Sequence, residues 1–230
     1  MTAAPAGRNW ARTGLWWGLA VFAFFGLLVA TGIARPYDLP LDRWILRNVP
    51  QPQGTPDWGG IGYLSIWGSQ YATIPVTIVT VMGLLAMGAV RRARIVSAVG
   101  FVGGLLILGF QVAFRPFVAM HWADTGAQVV YPSGHAAGAT MAWGFAAVFL
   151  LSSARSQAPP WVRPLLFTVW VAISVAVGID RLLVRSHTLS DILGGWGLGV
   201  ALVCIAVLVD RAAPGAGKDP GDSHPQGRSP

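Results

Sequence analysis

The sequence predicts an all-α integral membrane protein, a six-transmembrane-helix bundle with both termini in the cytoplasm. Composition supports this fold class, because 54% of the 230 residues are hydrophobic and only 11% are charged, whereas soluble domains carry about 25% charged residues. The chain also contains six apolar runs of about the length, roughly 20 residues, that a helix needs to cross a hydrocarbon core.

The six predicted spans follow one another along most of the chain. The first comes after Arg8 and Arg12 and exceeds the roughly 7–15 apolar residues of a signal peptide, so we expect it to be a retained anchor. The second ends at a cluster of three Arg residues at positions 91–94. In order, the spans cover residues 14–33, 65–90, 95–114, 135–152, 163–179 and 190–209.

The distribution of basic residues predicts which end of the bundle faces the cytoplasm. With the N-terminus inside, the inner segments hold ten Arg or Lys residues and the outer segments hold six. Cytoplasmic loops carry the excess of Arg and Lys, so this orientation is favoured, and an even number of spans places the C-terminus inside too. The skew toward Arg, Ala and Gly is typical of GC-rich bacteria, so the predicted location is a bacterial plasma membrane.

Two segments are not predicted to span the membrane. Residues 35–60 mix Trp and Leu with Asp and Arg and then become rich in Pro, Gly and Gln, which indicates an interfacial helix followed by a surface loop. Residues 212–230 lack apolar residues that could form a core and are predicted to be a disordered cytoplasmic tail. Residues 1–211 are therefore expected to form a single membrane-embedded domain.

Composition argues against several other classes of protein. The net charge of +7 comes without a basic tract interleaved with aromatic residues, so nucleic acid is not a predicted partner. The single cysteine, Cys204, lies in an apolar run and excludes an internal disulfide and a thiolate metal cluster. We expect membrane lipids to be the partners of this chain.

Polar residues concentrate in three short stretches at the predicted outer ends of spans three to six. These stretches are FRPF at 114–117, YPSGHAAG at 131–138 and DRLLVRSHTLSDILGG at 180–195. Charged groups at membrane depth are costly and usually functional. In the third stretch, His187 and Asp191 are four residues apart, which would place both side chains on one face of a helix. An Asp that accepts from one imidazole nitrogen leaves the other nitrogen available as base or nucleophile.

The other two stretches offer groups that can bind an anion. Ser133 is a natural N-cap and His135 falls in the first turn of span four, where free backbone N–H groups and the positive end of the helix dipole favour an anion. Arg115 is predicted to end span three, with Pro116 turning the chain. Its planar guanidinium suits bidentate contact with phosphate, although an isolated Arg at this depth can also simply snorkel to the interface.

Together these residues suit phosphoryl transfer without a metal ion. A zinc site normally has three or four close ligands, and the two His residues are better matched to separate roles. One His would attack phosphorus while Arg side chains and backbone N–H groups hold the oxygens, and the other would protonate the departing alkoxide. We therefore expect neither a cofactor nor a metal.

Arg115-Pro116, Pro132-Ser133-Gly134-His135 and Arg181–x5–His187–x3–Asp191 resemble the three signature motifs of the type 2 phosphatidic acid phosphatase superfamily, the lipid phosphate phosphatases. The resemblance covers about residues 108–200. It implies a metal-independent phosphatase in which His187 is the nucleophile that forms a phosphohistidine, Asp191 orients His187, and His135 is the general acid. It also implies that the substrate phosphate is bound by Arg115, Arg181, Ser133 and Gly134.

The sequence departs from the family pattern at the start of the first motif. The family has a Lys seven residues before the Arg, and Leu108 occupies that place here. One phosphate-binding cation is therefore missing, and Gln111 or Arg185 could partly compensate for it. Asp180 stands where the family often has Ser, which is a milder change.

The leading hypothesis is hydrolysis of a lipid phosphate or lipid diphosphate at the outer face of the membrane. Polyprenyl, phosphatidate-type and prenyl-linked sugar phosphates are the candidate substrates, and phosphotransfer to an acceptor other than water is a close variant. Leu108 leaves open a catalytically weak or inactive lipid-phosphate carrier or transporter. A structural membrane scaffold is the third alternative, but it leaves the grouped His, Asp and Arg residues unexplained.

Overall fold

The chain forms a helical bundle in the computed structural model, which describes residues 6–49, 60–124, 129–153 and 159–212. All regular structure in these ranges is helical, so the all-α prediction is confirmed. Residues 50–59 of the predicted surface loop and residues 213–230 of the predicted tail lie outside the described residues. The elements are α1 (Ala6–Ala30), α2 (Arg35–Asn48), a 3₁₀ segment (Gly60–Gly68), α3 (Gln70–Ala86), α4 (Val90–Trp122), α5 (Gly134–Phe145), a π-helical turn (Ala146–Leu150), α6 (Leu151–Ser153), α7 (Val162–Leu183) and α8 (Leu189–Ala212).

Within the described ranges, five helical stretches are long and apolar enough to cross a membrane, which makes the chain a multi-pass membrane protein. They are Asn9–Ala30, Val90–Trp122, Gly134–Ser153, Val162–Leu183 and Leu189–Ala212. The predicted second span, 65–90, is instead divided between the 3₁₀ segment and α3, which has 17 residues and begins only after Ser69. A sixth crossing therefore stays a prediction.

The third predicted span is longer than expected, because α4 does not end at Arg115. It continues through Pro116 to Trp122. A proline inside a helix removes one backbone hydrogen bond, but the residues beyond it gain a tertiary anchor. The side chain of Trp122 is buried, and its Nε1 donates to the carbonyl of Val29 at 3.1 Å. The prediction that Pro116 turns the chain is therefore wrong.

Helix α8 lies at the centre of the bundle and packs against α1 and α5. Its contact with α1 is a close approach of two backbones at glycines. A Cβ at Gly197 would lie 2.7 Å from the carbonyl oxygen of Gly18, and a Cβ at Gly18 would lie 2.6 Å from that of Gly197. Small residues of this kind allow membrane helices to approach closely, which fixes α8 along its length.

The two ends of the bundle are distinguished by their polar contacts. At one end Arg92 Nε lies 3.1 Å from Asp210 Oδ2, and Arg92 Nη1 donates to Ser153 Oγ at 2.9 Å. Arg92 is near the start of α4, whereas Ser153 and Asp210 are at or near the ends of α6 and α8. The end of α4 and the starts of α5 and α8 must therefore meet at the opposite end of the bundle.

The connection that leads into α5 is held by an aromatic cluster. Tyr131 is buried, its ring packs against Phe22 and Phe114, and its hydroxyl donates to the carbonyl of Phe22. The peptide bond between Tyr131 and Pro132 is cis. These contacts attach the 129–133 segment to α1 and α4, so the residues that follow it start α5 at a fixed position.

The α1–α8 contact generates a prediction about stability. We expect Gly197→Ala to lower the free energy of unfolding by about 1–3 kcal/mol, because the new methyl group would overlap backbone atoms of α1. Thermal unfolding of the protein in detergent measures the effect.

Gly109→Ala is the matched control, since a Cβ there meets nothing within 4 Å and alanine is the better helix former. Equal thermal stability of the two variants would contradict the close approach of α1 and α8.

Candidate active site

Two of the three polar stretches, 131–138 and 180–195, line a cavity of about 1010 Å³ at one end of the bundle, whereas no residue of 114–117 lines it. His135, His187, Arg181 and Gly134 all line it, together with Gln111 of α4. The cavity continues away from these groups between α3 and α4, where its walls are mostly apolar. The structure therefore brings together both predicted histidines, one predicted arginine and the start of α5.

His187 and Asp191 form a pair whose geometry differs from the predicted one. His187 Nδ1 lies 3.4 Å from Asp191 Oδ2, and the two side chains are 10% and 0% exposed. His187 and Asp191 do not lie on one face of a helix, because α8 begins only at Leu189 and His187 precedes it. The turn before α8 instead folds the imidazole over the first helical turn. With Nδ1 toward Asp191, Nε2 is the ring nitrogen left for the cavity.

Asp191 is held by the backbone at the start of α8. Its Oδ2 accepts from the N–H of Thr188 at 3.2 Å, and Thr188 Oγ1 lies 3.5 Å from the N–H of Asp191, which is the reciprocal arrangement of a capping box. The N–H of Val130 also donates to Asp191 Oδ2, at 3.1 Å. The carboxylate thus orients His187 while it is itself fixed by two backbone donors.

The second polar stretch starts α5 as the sequence predicts. Ser133 is the N-cap, and its side chain accepts from the N–H of Ala136 at 3.4 Å. The N–H of Ser133 donates to the carbonyl of Asp191 at 2.9 Å, which joins this stretch to α8. Ser133 is buried and does not line the cavity, whereas Gly134 and His135 do. The hydroxyl of Ser133 therefore shapes the site rather than facing it.

Gln111 ties α4 to the start of α5. Its Nε2 donates to the carbonyl of Pro132 at 3.0 Å. A Cβ at Gly134 would lie 3.0 Å from the same nitrogen, so a side chain at position 134 would displace the Gln111 amide. This contact accounts for a polar side chain that follows the apolar middle of α4, and Gln111 lines the same cavity as the two histidines.

Arg181 is buried near the end of α7 and is positioned by the 3₁₀ segment. Its Nη2 donates to Ser65 Oγ at 2.9 Å, and the N–H of Ser65 donates to Asp180 Oδ2 at 2.9 Å. Both charged side chains are almost fully buried. Adjacent opposite charges offset part of the desolvation that each would suffer alone, so Asp180 supports the guanidinium that lines the cavity.

Arg115, Leu108 and Arg185 lie away from the cavity lining. Arg115 and Leu108 are exposed on α4. Arg185 instead forms a bidentate ion pair with Asp42 of α2, with Nε to Oδ1 at 2.8 Å and Nη2 to Oδ2 at 2.6 Å. The structure therefore groups one of the two predicted phosphate-binding arginines with the histidines, and gives Arg185 a structural partner.

The turn between α7 and α8 is unusual because a non-glycine residue adopts a left-handed conformation there. Arg185 has a φ of +57°, and the N–H groups of Arg185 and Ser186 donate to the carbonyls of Leu182 and Arg181. This is the Schellman arrangement, which usually has glycine at the left-handed position. The ion pair with Asp42 raises the pKa of Arg185 and holds the turn against α2.

Four residues that support the site were not identified from the sequence: Asp38, Asp42, Ser65 and Thr188. Thr188 could have been found, since Thr-x-x-Asp is close to the capping-box pattern. Ser65 carried no such signal, because its partners are more than a hundred positions away in the chain. Across the described ranges, no group of three or more His, Cys, Asp or Glu side chains could hold a metal ion.

Comparison with known families agrees with this geometry. The family model for the PAP2 superfamily matches residues 95–213, which is more than half of the 230 residues. The chain belongs to the PAP2 superfamily. The match contains all three polar stretches, so the predicted family is confirmed. The elements α1, α2, the 3₁₀ segment and α3 precede the matched region of this PAP2 chain.

The fold of this PAP2 chain is similar to that of a solved structure. The crystal structure of a transmembrane PAP2-type phosphatidylglycerolphosphate phosphatase from Bacillus subtilis matches with a TM-score of 0.67 and 20% sequence identity. The match covers 85% of this chain and 96% of that chain. No curated protein matches this chain. The similarity establishes a membrane PAP2 fold that includes the segments before residue 95.

The Arg185 turn generates the second prediction. Arg185→Gly and Arg185→Ala both remove the ion pair with Asp42, but only alanine keeps the unfavourable left-handed conformation. We expect the alanine variant to be less stable than the glycine variant by about 1 kcal/mol. Thermal unfolding of both variants in the same detergent provides the measurement, and an alanine variant as stable as the glycine variant would be the contrary result.

Proposed function

We propose that this PAP2 chain hydrolyses a lipid phosphate or lipid diphosphate without a metal ion, through a phosphohistidine on His187. One observation carries the proposal: His187, His135 and Arg181 line the polar end of a single cavity whose remaining walls are largely apolar. A phosphate that is attached to a long hydrocarbon chain fits both parts of such a cavity.

The proposed reaction has two steps. His187 Nε2 attacks the terminal phosphorus, the bond from that phosphorus to its leaving oxygen breaks, and His135 gives its proton to that oxygen. The leaving oxygen belongs to the lipid alcohol of a monophosphate or to the lipid monophosphate released from a diphosphate. A water molecule then attacks the phosphohistidine while His135 takes a proton from it, which releases inorganic phosphate and restores His187. Arg181 and the backbone N–H groups at the start of α5 neutralise the phosphate oxygens, and Asp191 stabilises the positive charge that develops on the imidazole.

The apolar part of the cavity is the proposed site of the lipid tail. On α4 it is lined from Gln111 to Ser97, a distance of about 21 Å along the helix axis. Gly100 and Gly104 lie on this wall, and a Cβ at Gly104 would meet no atom within 4 Å. Ile74 and Ile78 of α3 form the opposite wall and are more than half exposed, so the tail would enter sideways from the bilayer.

We propose six crossings, with α3 as the second, both termini in the cytoplasm and the site at the outer face of a bacterial plasma membrane. The charges at the two ends support this orientation. Arg91, Arg92 and Arg94 lie at the end of the bundle opposite to the site. At the site end, Arg181 lines the cavity and Arg185 pairs with Asp42. Because these two arginines have local roles, they count less in the distribution of basic residues that sets the orientation.

One observation favours a second candidate, a lipid-phosphate carrier that binds without turnover. Leu108 replaces the family's Lys, and both Leu108 and Arg115 lie outside the cavity lining. Arg181 is consequently the single Arg or Lys side chain that lines the cavity in the part of the chain that the structure describes. Gln111 can donate hydrogen bonds there but supplies no charge.

The third prediction tests the nucleophile. Native protein in detergent is offered phosphatidate, phosphatidylglycerol phosphate and polyprenyl mono- and diphosphate in the presence of a chelator, and released phosphate is measured. We expect turnover that falls about 10³-fold or more in His187→Ala, because the attacking group is lost. His121→Ala is the matched control, since His121 lies in the last turn of α4 and does not line the cavity, and it should retain native turnover.

Two outcomes would contradict hydrolysis through His187. Phosphate release by His187→Ala at the native rate would rule out the nucleophile. Tight binding of lipid phosphates by the native protein, with no release from any of them, would favour the carrier.

The fourth prediction tests the tail groove. Gly104→Leu should fill the groove, and its Cβ would meet no other atom within 4 Å, so we expect kcat/KM for a long-chain lipid phosphate to fall about tenfold and that for a short-chain analogue to stay unchanged. Gly109→Leu on the same helix is the control, because position 109 also faces open space but does not line the cavity. Parallel losses for both chain lengths would place the tail elsewhere.

A further inference from the structure

Asp38 of α2 is a buried carboxylate beside the candidate active site, and the proposed reaction assigns it no role. The side chain is 3% exposed, and it does not line the cavity. It lies 57 residues before the region that the PAP2 family model matches. A buried carboxylate is costly unless it is paired or hydrogen-bonded, so its contacts indicate what it does.

The contacts of Asp38 lead to the start of α8. Its Oδ1 accepts from the N–H of Ser190 at 3.2 Å. Ser190 is the second residue of α8, directly before Asp191, and its N–H is one of the donors that a helix leaves without an internal partner. The first turn of α8 is therefore capped by two carboxylates, with Asp191 on the N–H of Thr188 and Asp38 on the N–H of Ser190.

The second oxygen of Asp38, Oδ2, is buried and has no hydrogen-bond partner within the described ranges. Burial raises the pKa of Asp38 to about 6; the hydrogen bonds from Ser190 lower it by less, and the charge of Asp191 raises it further. Asp38 therefore loses its proton near pH 6 rather than near pH 4.

The other charged groups around Asp38 are already paired. Asp42, one turn further along α2, binds Arg185 of the α7–α8 turn, and Arg35 of the same helix binds Asp124 at 3.1 Å. Asp38 contacts α8 at Ser190, the residue directly before Asp191, and Asp191 in turn lies 3.4 Å from His187 Nδ1. Asp38 and Asp191 are therefore two carboxylates close enough to affect each other's charge, and only Asp191 contacts the imidazole.

We propose that Asp38 is a positioning residue for the His187–Asp191 pair: it caps the first turn of α8 and supplies a second negative charge behind Asp191. The inference rests on the proposed function. When His187 attacks phosphorus, positive charge develops on its ring, and a second carboxylate nearby stabilises that charge relative to the resting site. Because Asp38 touches neither the cavity nor the reacting atoms, its effect passes through Asp191 and α8.

The fifth prediction is that Asp38→Asn makes the protein more stable and less active, both mainly above pH 6. A carboxyl group whose folded pKa is raised holds its proton more tightly in the folded protein, so stability falls as the pH rises through about 6. Asparagine can keep the hydrogen bond from Ser190 and removes the charge. We therefore expect a melting-temperature gain over native at pH 8 that is larger than at pH 5.

Activity should change in the opposite direction. The ratio of native to Asp38→Asn turnover is expected to be near one at pH 5 and to rise to about fivefold at pH 8. Asp42→Asn is the matched control on the same face of α2: it loses the Arg185 ion pair but leaves α8 capped, so its turnover ratio should not depend on pH. Asp38→Ser, which can also accept from Ser190, provides a second variant if asparagine prevents folding.

A native-to-Asp38→Asn turnover ratio that is the same at pH 5 and pH 8 would overturn the positioning role. Failure of the proposed function has a different signature, namely no phosphate release by the native protein at any pH. In that case orthovanadate binding, followed by tryptophan fluorescence, replaces turnover, because vanadate occupies the place of the attacked phosphorus. About fivefold weaker binding by Asp38→Asn at pH 8 would support the inference, and equal affinity would overturn it.

Discussion

The carboxylate of Asp191 is the contact on which the rest of the site depends. Its Oδ2 accepts from backbone N–H groups at the start of α8 and in the segment before α5, and it faces the Nδ1 of His187 in the α7–α8 turn. One fully buried oxygen therefore fixes three chain segments relative to one another. A buried charge is stable in an apolar bundle only with such fixed donors, so the orientation of His187 and the first turn of α8 cannot be separated.

Segments that precede the region matched by the family model, residues 95–213, hold several side chains and backbone groups of the candidate site in place. Ser65 of the 3₁₀ segment binds Arg181, Asp42 of α2 binds Arg185, and Asp38 caps α8. Long side chains lose considerable rotamer entropy when they are fixed, and a short motif has too few neighbours to hold them. The 3₁₀ segment also packs tightly here, because a Cβ at Gly68 would lie 2.5 Å from the carbonyl of His135.

Much of the fold and the centre of the site could be predicted from the sequence, because hydropathy and local spacing report local structure. Ser133 as an N-cap, His135 in the first turn of α5 and the His187–Asp191 pair follow from short-range patterns. The wrong prediction at Pro116, and the partner of Arg185 that the sequence did not indicate, both involve contacts between distant positions. Trp122 anchors the helix beyond Pro116 by a hydrogen bond to Val29, and Asp42 forms an ion pair with Arg185. Neither partner is visible in a window of neighbouring residues, and Asp38 was hidden for the same reason.

The cavity is open to two different surroundings, and this has a consequence for turnover. Its polar end lies at the helix ends that carry the histidines, whereas its other end lies between the Gly100–Gly104 wall of α4 and the exposed isoleucines of α3, which a surrounding bilayer would cover with hydrocarbon. Under the proposed hydrolysis, a dephosphorylated lipid and inorganic phosphate would depart by separate routes, one sideways and one toward water. Neither product would then have to wait for the other, and escape of the alcohol into the bilayer would draw the reaction forward.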